Sequence, residues 1–251
     1  SSWRVAYTGA EPVRQDTMDA FIERYAPVGF SAGAVYPCYG LAEATLFITG
    51  GRRGSGMVVS RFDTEALARR QVAVDGDGAA LVGCGSVPSD HEVRIVDPQT
   101  GEVAPGCAIG EIWATGPSMA AGYWNKPCET AEAFVERDGL RWLRTGDLGF
   151  MHEGQIFVAG RLKDMIIVRG HNIYPHDIER VVEAEVEAVR KGRVAAFAVD
   201  LDGQEGIGVA AEVSRGLQKL VPPQVLVDAL SLAVSEQCGE APKAVVLLNP
   251  G

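Results

Sequence analysis

Residues 144–164 read RTGDLGFMHEGQIFVAGRLKD and combine two short apolar runs with four glycines. Short apolar runs bounded by glycine and polar residues are typical of strands, so we predict strands at Leu148–Met151 and Gln155–Val158. At 161–164 the pattern changes, because longer segments with helical periodicity follow. The stretch therefore predicts the end of a β-rich domain and a domain boundary at 161–164.

Further short strands are predicted on the N-terminal side of this stretch, at Glu92–Val96 and Glu111–Thr115. Turns that contain Gly and Pro separate them at short, fairly regular spacing, which is typical of a small barrel or a curled sheet. We therefore predict a small, distorted β-barrel over residues 81–162.

Residues 1–80 combine strand-like and helical segments. An apolar strand at 3–9 precedes a helix that Pro12 can open, because a proline at the first helical position loses no hydrogen bond. A second apolar strand is predicted at 31–37, and it runs into a loop at 37–40.

Residues 163–251 show the periodicities of a small α+β domain. Pro175 opens one helix with an apolar face, and Pro222 and Pro223 open a second. Three strands are predicted, the first two joined by a turn at Asp200–Gly203: Val194–Val199, Gly206–Val213 and Ala244–Leu248. The predicted fold class of the whole chain is α/β and α+β in several subdomains.

Composition excludes several classes of protein. Apolar residues make up 47% of the 251 residues and charged residues 22%, as in globular proteins, so disorder is excluded as the main state. The net charge of −10 argues against a nucleic-acid-binding protein, because such proteins neutralise phosphates with an excess of basic residues. No apolar run approaches the about 18 residues of a membrane-spanning helix. The five widely spaced cysteines indicate reduced thiols and a cytoplasmic protein.

Four groups of motifs go beyond what packing requires. They are Tyr36–Thr45, Gly110–Trp113 with Gly122–Trp124, Arg144–Asp147, and Gly154–Asp164 with Arg169–Pro175 and Asp177–Glu179. In this order and spacing they resemble the adenylate-forming superfamily, which comprises acyl-CoA synthetases, nonribosomal adenylation domains and luciferases. The resemblance covers almost the whole chain.

Finer features resemble the fatty acyl-AMP ligase branch of that superfamily. Ala42 stands where most of the superfamily has threonine, and His171–Pro175 has the form typical of the branch. An additional stretch at 51–80 lies where the branch has an insertion. By this resemblance, 1–80 is the end of a large α/β subdomain, and 163–251 is part of a lid domain.

The resemblance implies a site for ATP or AMP. It places Tyr39 against the adenine, where an aromatic ring stacks for about 1–3 kcal/mol. It also implies that backbone groups line the nucleotide and that two charged side chains, Asp147 and Arg161, hold its ribose or phosphate. The binding residues implied are Gly9, Ala10, Glu11, Tyr39, Gly40, Leu41, Ala42, Asp147 and Arg161. In this interpretation Thr145 and Gly146 make a tight turn that aims the Asp147 carboxylate.

The resemblance also implies two catalytic residues. Glu43 occupies the position of a Mg²⁺ carboxylate, and Lys163 occupies that of a hinge between two catalytic poses. Because Ala42 has no hydroxyl, one phosphate contact must come from Thr45 or from the backbone. Arg169 and Gly170 lie on the face that would cover the site in the thioester-forming pose.

An ordinary structural role stays open for each of these residues. Tyr39 can anchor a loop, Asp147 can serve a turn, and Glu43 or Arg161 can be solvated surface residues. Lys163 can equally be an exposed linker residue, and segment 51–80 can be a variable loop. Of the four histidines, His171 is predicted in a loop and the others on the surface; the tryptophans at 113, 124 and 142 are predicted in the barrel core.

The resemblance implies activation of a fatty acid with ATP and transfer to the phosphopantetheine thiol of an acyl carrier protein. An acyl-CoA synthetase and a non-catalytic nucleotide-binding or carrier-docking module are the alternatives. The superfamily's phosphate-binding loop and C-terminal catalytic lysine have no counterpart in this sequence. Losing one such group lowers rates by about 10²–10³-fold, so we expect this chain to be a portion of a ligase and nearly inactive alone.

Overall fold

The structure, a computed structural model, describes residues 2–169, 171–201, 204–217 and 220–250. The chain divides into two compact units, Ser1–Leu162 and Lys163–Gly251. The finer division into parts at 1–80, 81–162 and 163–251 stays a prediction. Within the residues that the structure describes, no helix is long and apolar enough to cross a membrane.

The first unit contains short helices and many strands. Its helices are α1 Gln15–Tyr25, α2 Thr64–Ala68 and α3 Pro127–Ala133. Its strands are β1 Ala6–Thr8, β2 Val35–Tyr39, β3 Thr49–Gly50, β4 Val58–Phe62, β5 Ala79–Gly83, β6 Glu92–Val96, β7 Gly110–Thr115, β8 Phe134–Arg137, β9 Leu140–His152 and β10 Gln155–Arg161.

A three-stranded sheet with the order β1-β2-β3 carries the N-terminal motifs. Strands β1 and β2 are parallel, so the residues that follow Thr8 and Tyr39 lie at the same edge of the sheet. The two strands approach closely there, because a Cβ on Gly9 would lie 2.6 Å from the carbonyl oxygen of Cys38. Glycine is therefore required at position 9.

Two local predictions for this region are wrong. Helix α1 begins at Gln15 and not at Pro12, since the backbone is still extended at Arg14. Strand β2 begins only at Val35 and continues to Tyr39, where a loop at 37–40 is predicted. Pro37 is tolerated within this middle strand because β3 pairs only with Cys38 and Tyr39.

A curled antiparallel sheet with the order β10-β9-β7-β6 is consistent with the small barrel or curled sheet expected from the sequence, and β8 pairs with β9. The long strand β9 corrects one prediction, because it includes Arg144–Asp147 and its predicted tight turn. Trp113 and Trp142 are buried in this part of the unit as predicted. The prediction for Trp124 is wrong, since 89% of it is exposed.

The segment at 51–80 packs against this sheet. Strand β4 forms a hairpin with β5, and the predicted turn closes it with a bond from the Gly78 amide to the Asp75 carbonyl. Phe62, at the end of β4, is fully buried and packs edge-on against the rings of Phe150 and Phe157. The segment is thus an ordered hairpin with a helix rather than a loose loop.

The second unit has the predicted order of helix, hairpin, helix and strand. Its helices are α4 Pro175–Glu185 and α5 Pro223–Cys238, and its strands are β11 Ile166–Val168, β12 His171–Ile173, β13 Val189–Leu201, β14 Gln204–Val213 and β15 Ala244–Leu248. Strand β14 is antiparallel to β13 and parallel to β15. The prediction of a loop at His171 is wrong, because β12 pairs with β11. The turn predicted at Asp200–Gly203 lies partly outside the described residues.

We expect the apolar face of α5 to supply much of this unit's stability. Leu230 is fully buried among the helices and the sheet, whereas Leu232 on the same helix is 59% exposed. Leu230→Ala should lower the free energy of unfolding of the second unit by about 3 kcal/mol, through lost apolar burial and a residual cavity. Chemical denaturation followed by circular dichroism measures this, with Leu232→Ala as the control. Equal effects of the two substitutions would contradict the burial argument.

Candidate nucleotide site

Tyr39 and Asp147 meet inside the first unit. The Tyr39 hydroxyl donates a hydrogen bond of 2.8 Å to Oδ2 of Asp147, although 108 positions separate them in the sequence. Both residues are buried, with 7% of Tyr39 and 8% of Asp147 exposed. The end of strand β2 and the middle of strand β9 are thus joined by a pair of polar side chains.

Arg161 completes this polar group. It stands directly opposite Asp147 in the pairing of β9 with β10, and its Nε lies 3.3 Å from Oδ1 of Asp147. More than half of the Arg161 side chain is exposed. The cation is therefore available to solvent, while the carboxylate is held from both sides.

The pKa values in this group reflect its burial. Burial raises the pKa of the Asp147 carboxyl, although the Tyr39 hydroxyl and the Arg161 guanidinium favour its charged form. The nearby negative charge of Glu43 raises the Asp147 pKa further. Burial also raises the pKa of the Tyr39 phenol, and the charge of Asp147 adds to this effect. Tyr39 is thus held as a hydrogen-bond donor.

The loop after Tyr39 is tightly folded. A Cβ on Gly40 would lie 1.8 Å from the carbonyl oxygen of Leu46, so glycine is required there. Leu41 packs partly buried against the core, and a 3₁₀ turn at Ala42–Ala44 follows it. This turn presents Glu43 close enough to Asp147 for their charges to interact.

Glu43 is held by a loop that the sequence does not identify as part of the site. The Tyr123 hydroxyl donates a bond of 2.6 Å to Oε1 of Glu43, and the Ala120 amide donates to the Glu43 carbonyl oxygen at 2.7 Å. The Thr45 hydroxyl donates to the carbonyl oxygen of Ser118 at 2.8 Å. The available signal was the motif Gly122–Trp124, which contains Tyr123.

His91 supports the same loop and corrects another prediction. Its side chain is only 8% exposed rather than on the surface. Its Nδ1 lies 2.8 Å from Oδ1 of Asp90, and its Nε2 lies 2.7 Å from Oγ of Ser118. The ring therefore ties the segment before β6 to the loop that contacts Glu43.

The contact between Tyr123 and Glu43 predicts a pH effect. The hydrogen bond to Glu43 is the largest cause that raises the pKa of Tyr123 to about 12. Because the protonated phenol is favoured in the folded state, the contact stabilises fully below the ordinary tyrosine pKa of about 10 and is lost as the pH rises through about 12. The difference in tyrosinate absorbance between the wild type and Tyr123→Phe should show this titration.

Glu43→Gln is the control for this titration. It should move the Tyr123 midpoint towards the ordinary value, because it removes the charge that stabilises the protonated phenol. A Tyr123 titration near the ordinary value in the wild type would contradict the observed contact.

Gly9, Ala10 and Glu11 follow β1 at the edge where β2 also ends. Gly9 lies against Cys38, next to Tyr39 in the chain. Ala10 has a left-handed backbone with φ of +69°, which turns the chain away from the sheet, and Glu11 is exposed. The structure thus places the three residues beside the strand that carries Tyr39.

The second unit contains the remaining predicted residues. Lys163 is the first residue of that unit, and its role as a hinge stays a prediction. Arg169 forms an ion pair of 2.6 Å with Glu240, whereas Gly170 lies outside the described residues. Among the described residues, no group of three or more histidine, cysteine or acidic side chains could hold a metal ion by itself.

Comparisons with known proteins agree with the resemblance found in the sequence. The AMP-binding enzyme family matches residues 1–124. The medium-chain-fatty-acid–[acyl-carrier-protein] ligase JamA of Moorena producens is 40% identical over 100% of this chain and 44% of its own. The putative fatty-acid–CoA ligase fadD21 of Mycobacterium bovis is 38% identical over 97% of this chain and 44% of its own. The chain thus spans less than half the length of these relatives.

A solved structure from a study of fatty acyl-adenylate ligases of E. coli and L. pneumophila supports the same assignment. It is 32% identical, with a TM-score of 0.86 over 99% of this chain and 44% of that one. The motifs, the fold and the relatives are therefore consistent with one another. We conclude that residues 1–124 belong to the family of AMP-binding enzymes and that the whole chain is similar to fatty acyl-adenylate ligases.

Proposed function

We propose that the protein containing this chain activates a fatty acid with ATP as the acyl-adenylate and transfers the acyl group to the phosphopantetheine thiol of an acyl carrier protein. The observation that carries the proposal is the meeting of Tyr39, Asp147 and Arg161 in one unit, close to Glu43. The carrier-protein ligase among the relatives supports the choice of substrates.

Asp147 is proposed to hold the ribose. Its two oxygens accept from Tyr39 and Arg161, and carboxylate oxygens have further lone pairs for the two ribose hydroxyls. Hydrogen bonds to a charged group contribute about 1.5–3 kcal/mol each. The exposed guanidinium of Arg161 would add a cationic contact to the ribose or the phosphate.

The adenine is proposed to lie between Tyr39 and the backbone of Gly9, Ala10 and Glu11. Only a small fraction of Tyr39 is exposed, which limits the ring surface available for stacking on the adenine. Tyr39 therefore also contributes to nucleotide binding in a second way, through the hydroxyl bond that orients Asp147. Backbone groups of Gly40, Leu41 and Ala42 would approach the phosphate. Because the Thr45 hydroxyl donates to Ser118, the contact replacing the missing hydroxyl at Ala42 falls to the backbone.

Glu43 is proposed as the protein ligand of a Mg²⁺ ion. A Mg²⁺ site usually combines one or two carboxylates with substrate phosphates and water, and a single oriented carboxylate fits that pattern. The Tyr123 bond engages Oε1 and orients the group. When bound, the ion would neutralise charge on the α-phosphate and the pyrophosphate.

The proposed reaction has two steps. A carboxylate oxygen of the fatty acid forms a bond to the α-phosphorus of ATP, and the bond to pyrophosphate breaks. The thiolate sulfur then forms a bond to the acyl carbon, and AMP leaves. Lys163 is proposed as the hinge that changes the pose between these steps, since it stands at the boundary of the two units.

An acyl-CoA synthetase is the second candidate, because one relative is named a putative fatty-acid–CoA ligase. Segment 51–80 is proposed to favour the carrier protein over coenzyme A. Its hairpin has the required rigidity, since Phe62 is fully buried against the sheet. Deleting the segment should then increase formation of acyl-CoA by the full-length protein.

Nucleotide binding by this chain is the direct test of the site. Calorimetry should detect binding of AMP and of a non-hydrolysable acyl-adenylate analogue. The full-length protein should catalyse pyrophosphate exchange that depends on fatty acid, and then acylate a carrier protein. Binding of AMP without any fatty-acid-dependent exchange by the full-length protein would instead favour a non-catalytic nucleotide-binding module.

A further inference from the structure

Glu111 is a buried acidic residue for which the proposed chemistry has no direct use. It lies on strand β7, and only 2% of it is exposed. A buried carboxylate is rare and requires partners that compensate for lost hydration. Its partners show which part of the fold depends on this charge.

Four donors converge on the two oxygens of Glu111. Oε2 accepts from Nε1 of Trp113 at 2.9 Å and from Nε and Nη2 of Arg144 at 3.3 and 3.2 Å. Oε1 accepts from the backbone amide of Gly146 at 3.2 Å. One oxygen thus contacts side chains, and the other contacts the backbone of the neighbouring strand.

The amide of Gly146 lies where the pairing of β7 with β9 breaks. Glu111 pairs with Leu148, but Trp113 pairs with Arg144, so the segment of β9 is two residues longer than the segment of β7 opposite it. Gly146 has φ of +71°, as expected at such a bulge. The Glu111 carboxylate thus accepts a hydrogen bond from the Gly146 amide at the point where the pairing of β7 with β9 is interrupted.

Other bonds hold the same bulge, and Asp147 follows it directly. The Thr145 hydroxyl donates to the Ile112 carbonyl at 2.7 Å, and the Leu162 amide donates to the Gly146 carbonyl at 2.8 Å. The direction of the Asp147 side chain depends on the bulge, since one residue more or fewer would turn it to the other face of the strand.

We propose that Glu111 is a positioning residue for nucleotide binding, which shapes the bulge at Thr145–Gly146 and thereby directs Asp147 towards the ribose. This inference rests on the proposed function, because it assumes that Asp147 holds the ribose hydroxyls. Glu111 itself touches no nucleotide, and its effect passes through the Gly146 amide.

The charge of Glu111 can be removed while its shape is kept. In Glu111→Gln, the amide oxygen can serve Arg144 and Trp113, and the amide nitrogen then faces the Gly146 N–H. Two donors cannot bond to each other, so the substitution selectively breaks the contact with the bulge. Glu92→Gln on β6 is the matched control, since Glu92 lies on the same sheet but is exposed.

The test compares AMP with 2′,3′-dideoxy-AMP, which lacks both ribose hydroxyls, in calorimetry on this chain. The wild type should prefer AMP about 100-fold, as expected for hydrogen bonds to a charged group. Glu111→Gln should lower the affinity for AMP about 10-fold and leave that for the dideoxy analogue unchanged, because lost positioning weakens only the ribose contact. In the Asp147→Ala background, Glu111→Gln should have no further effect.

The outcomes separate this inference from the proposed function. If the wild type bound both nucleotides equally, the ribose role of Asp147 would be wrong. If the wild type preferred AMP and Glu111→Gln preferred it equally, only the role of Glu111 would be wrong. If Glu111→Gln lost affinity equally for AMP and for the dideoxy analogue, Glu111 would have only a structural role.

A second substitution covers the case in which Glu111→Gln does not fold. Thr145→Val removes the hydroxyl that holds the bulge from the other side and leaves every charge in place. It should reduce the preference for AMP in the same way. An unchanged preference in folded Thr145→Val would overturn the claim that the bulge directs Asp147.

Discussion

Asp147→Asn is expected to lower the affinity of the chain for AMP about 100-fold, because the ribose hydroxyls lose a charged acceptor. The same substitution should leave the first unit equally or more stable. Burial raises the pKa of Asp147, so its charged form is less favourable in the folded chain than in the unfolded chain. Calorimetry measures the first effect, and thermal unfolding followed by tryptophan fluorescence measures the second.

The pH dependence of this prediction has a definite sign. Because the folded pKa of Asp147 is raised, its charge destabilises the folded state at neutral pH; this cost shrinks as the pH falls through the raised value and is gone below the ordinary aspartate pKa of about 3.9. Tyr39 and Arg161 oppose the shift, while Glu43 increases it. Any stability gained by Asp147→Asn should therefore vanish in acid.

Asp138→Asn is the matched control for this substitution. Asp138 is exposed between β8 and β9, and its carboxylate pairs with Arg94. Removing its charge should leave AMP affinity unchanged. If Asp147→Asn lost affinity only in proportion to lost stability, the proposed contact with the ribose would be wrong.

Gly85→Ala is expected to have the largest effect on stability. Gly85 has a left-handed backbone with φ of +81°, and a Cβ there would lie 1.8 Å from the carbonyl carbon of Gly50. The neighbouring backbone joins the three-stranded sheet to the curled sheet, since the Gly85 carbonyl accepts from the amide of Ile156 in β10 and Ser86 pairs with Gly50 in β3. Strain and collision together should destabilise this unit by about 4 kcal/mol.

Gly101→Ala separates the two causes. Gly101 has a similar φ of +73°, but a Cβ there would meet nothing within 4 Å. It should therefore cost only about 1 kcal/mol, from backbone strain. All four tryptophans belong to the first unit, so their fluorescence during thermal unfolding reports this unit alone. Equal shifts for the two substitutions would mean that the collision at Gly85 is relieved at little cost.

The second unit was predicted well because its signals are local. The apolar face of α5 recurs with helical spacing, and Leu226, Leu230, Ala233 and Val234 are the buried residues of that helix. Prolines open both helices, and the last strand matches its predicted bounds. Such patterns lie within one helix or one strand, so no distant residue is needed to interpret them.

The first unit shows where local signals fail. The resemblance implies a tight turn at Thr145 and Gly146 that aims the Asp147 carboxylate. The structure instead keeps them within β9 as a bulge, because the strands on both sides supply hydrogen bonds that a turn would leave unmade. The early end predicted for β2 has a similar cause, since pairing with β1 and β3 extends that strand through Tyr39.

The sequence by itself indicated the family, named the candidate site residues and determined most of the second unit, because motifs and periodicities are local properties of a chain. Only the tertiary structure decided that the Tyr39 hydroxyl bonds to Asp147, that Tyr123 orients Glu43 and that Glu111 is buried beneath the bulge. These contacts join residues 35 to 108 positions apart. Sheet pairing and burial bring them together, and no spacing along the chain specifies either one.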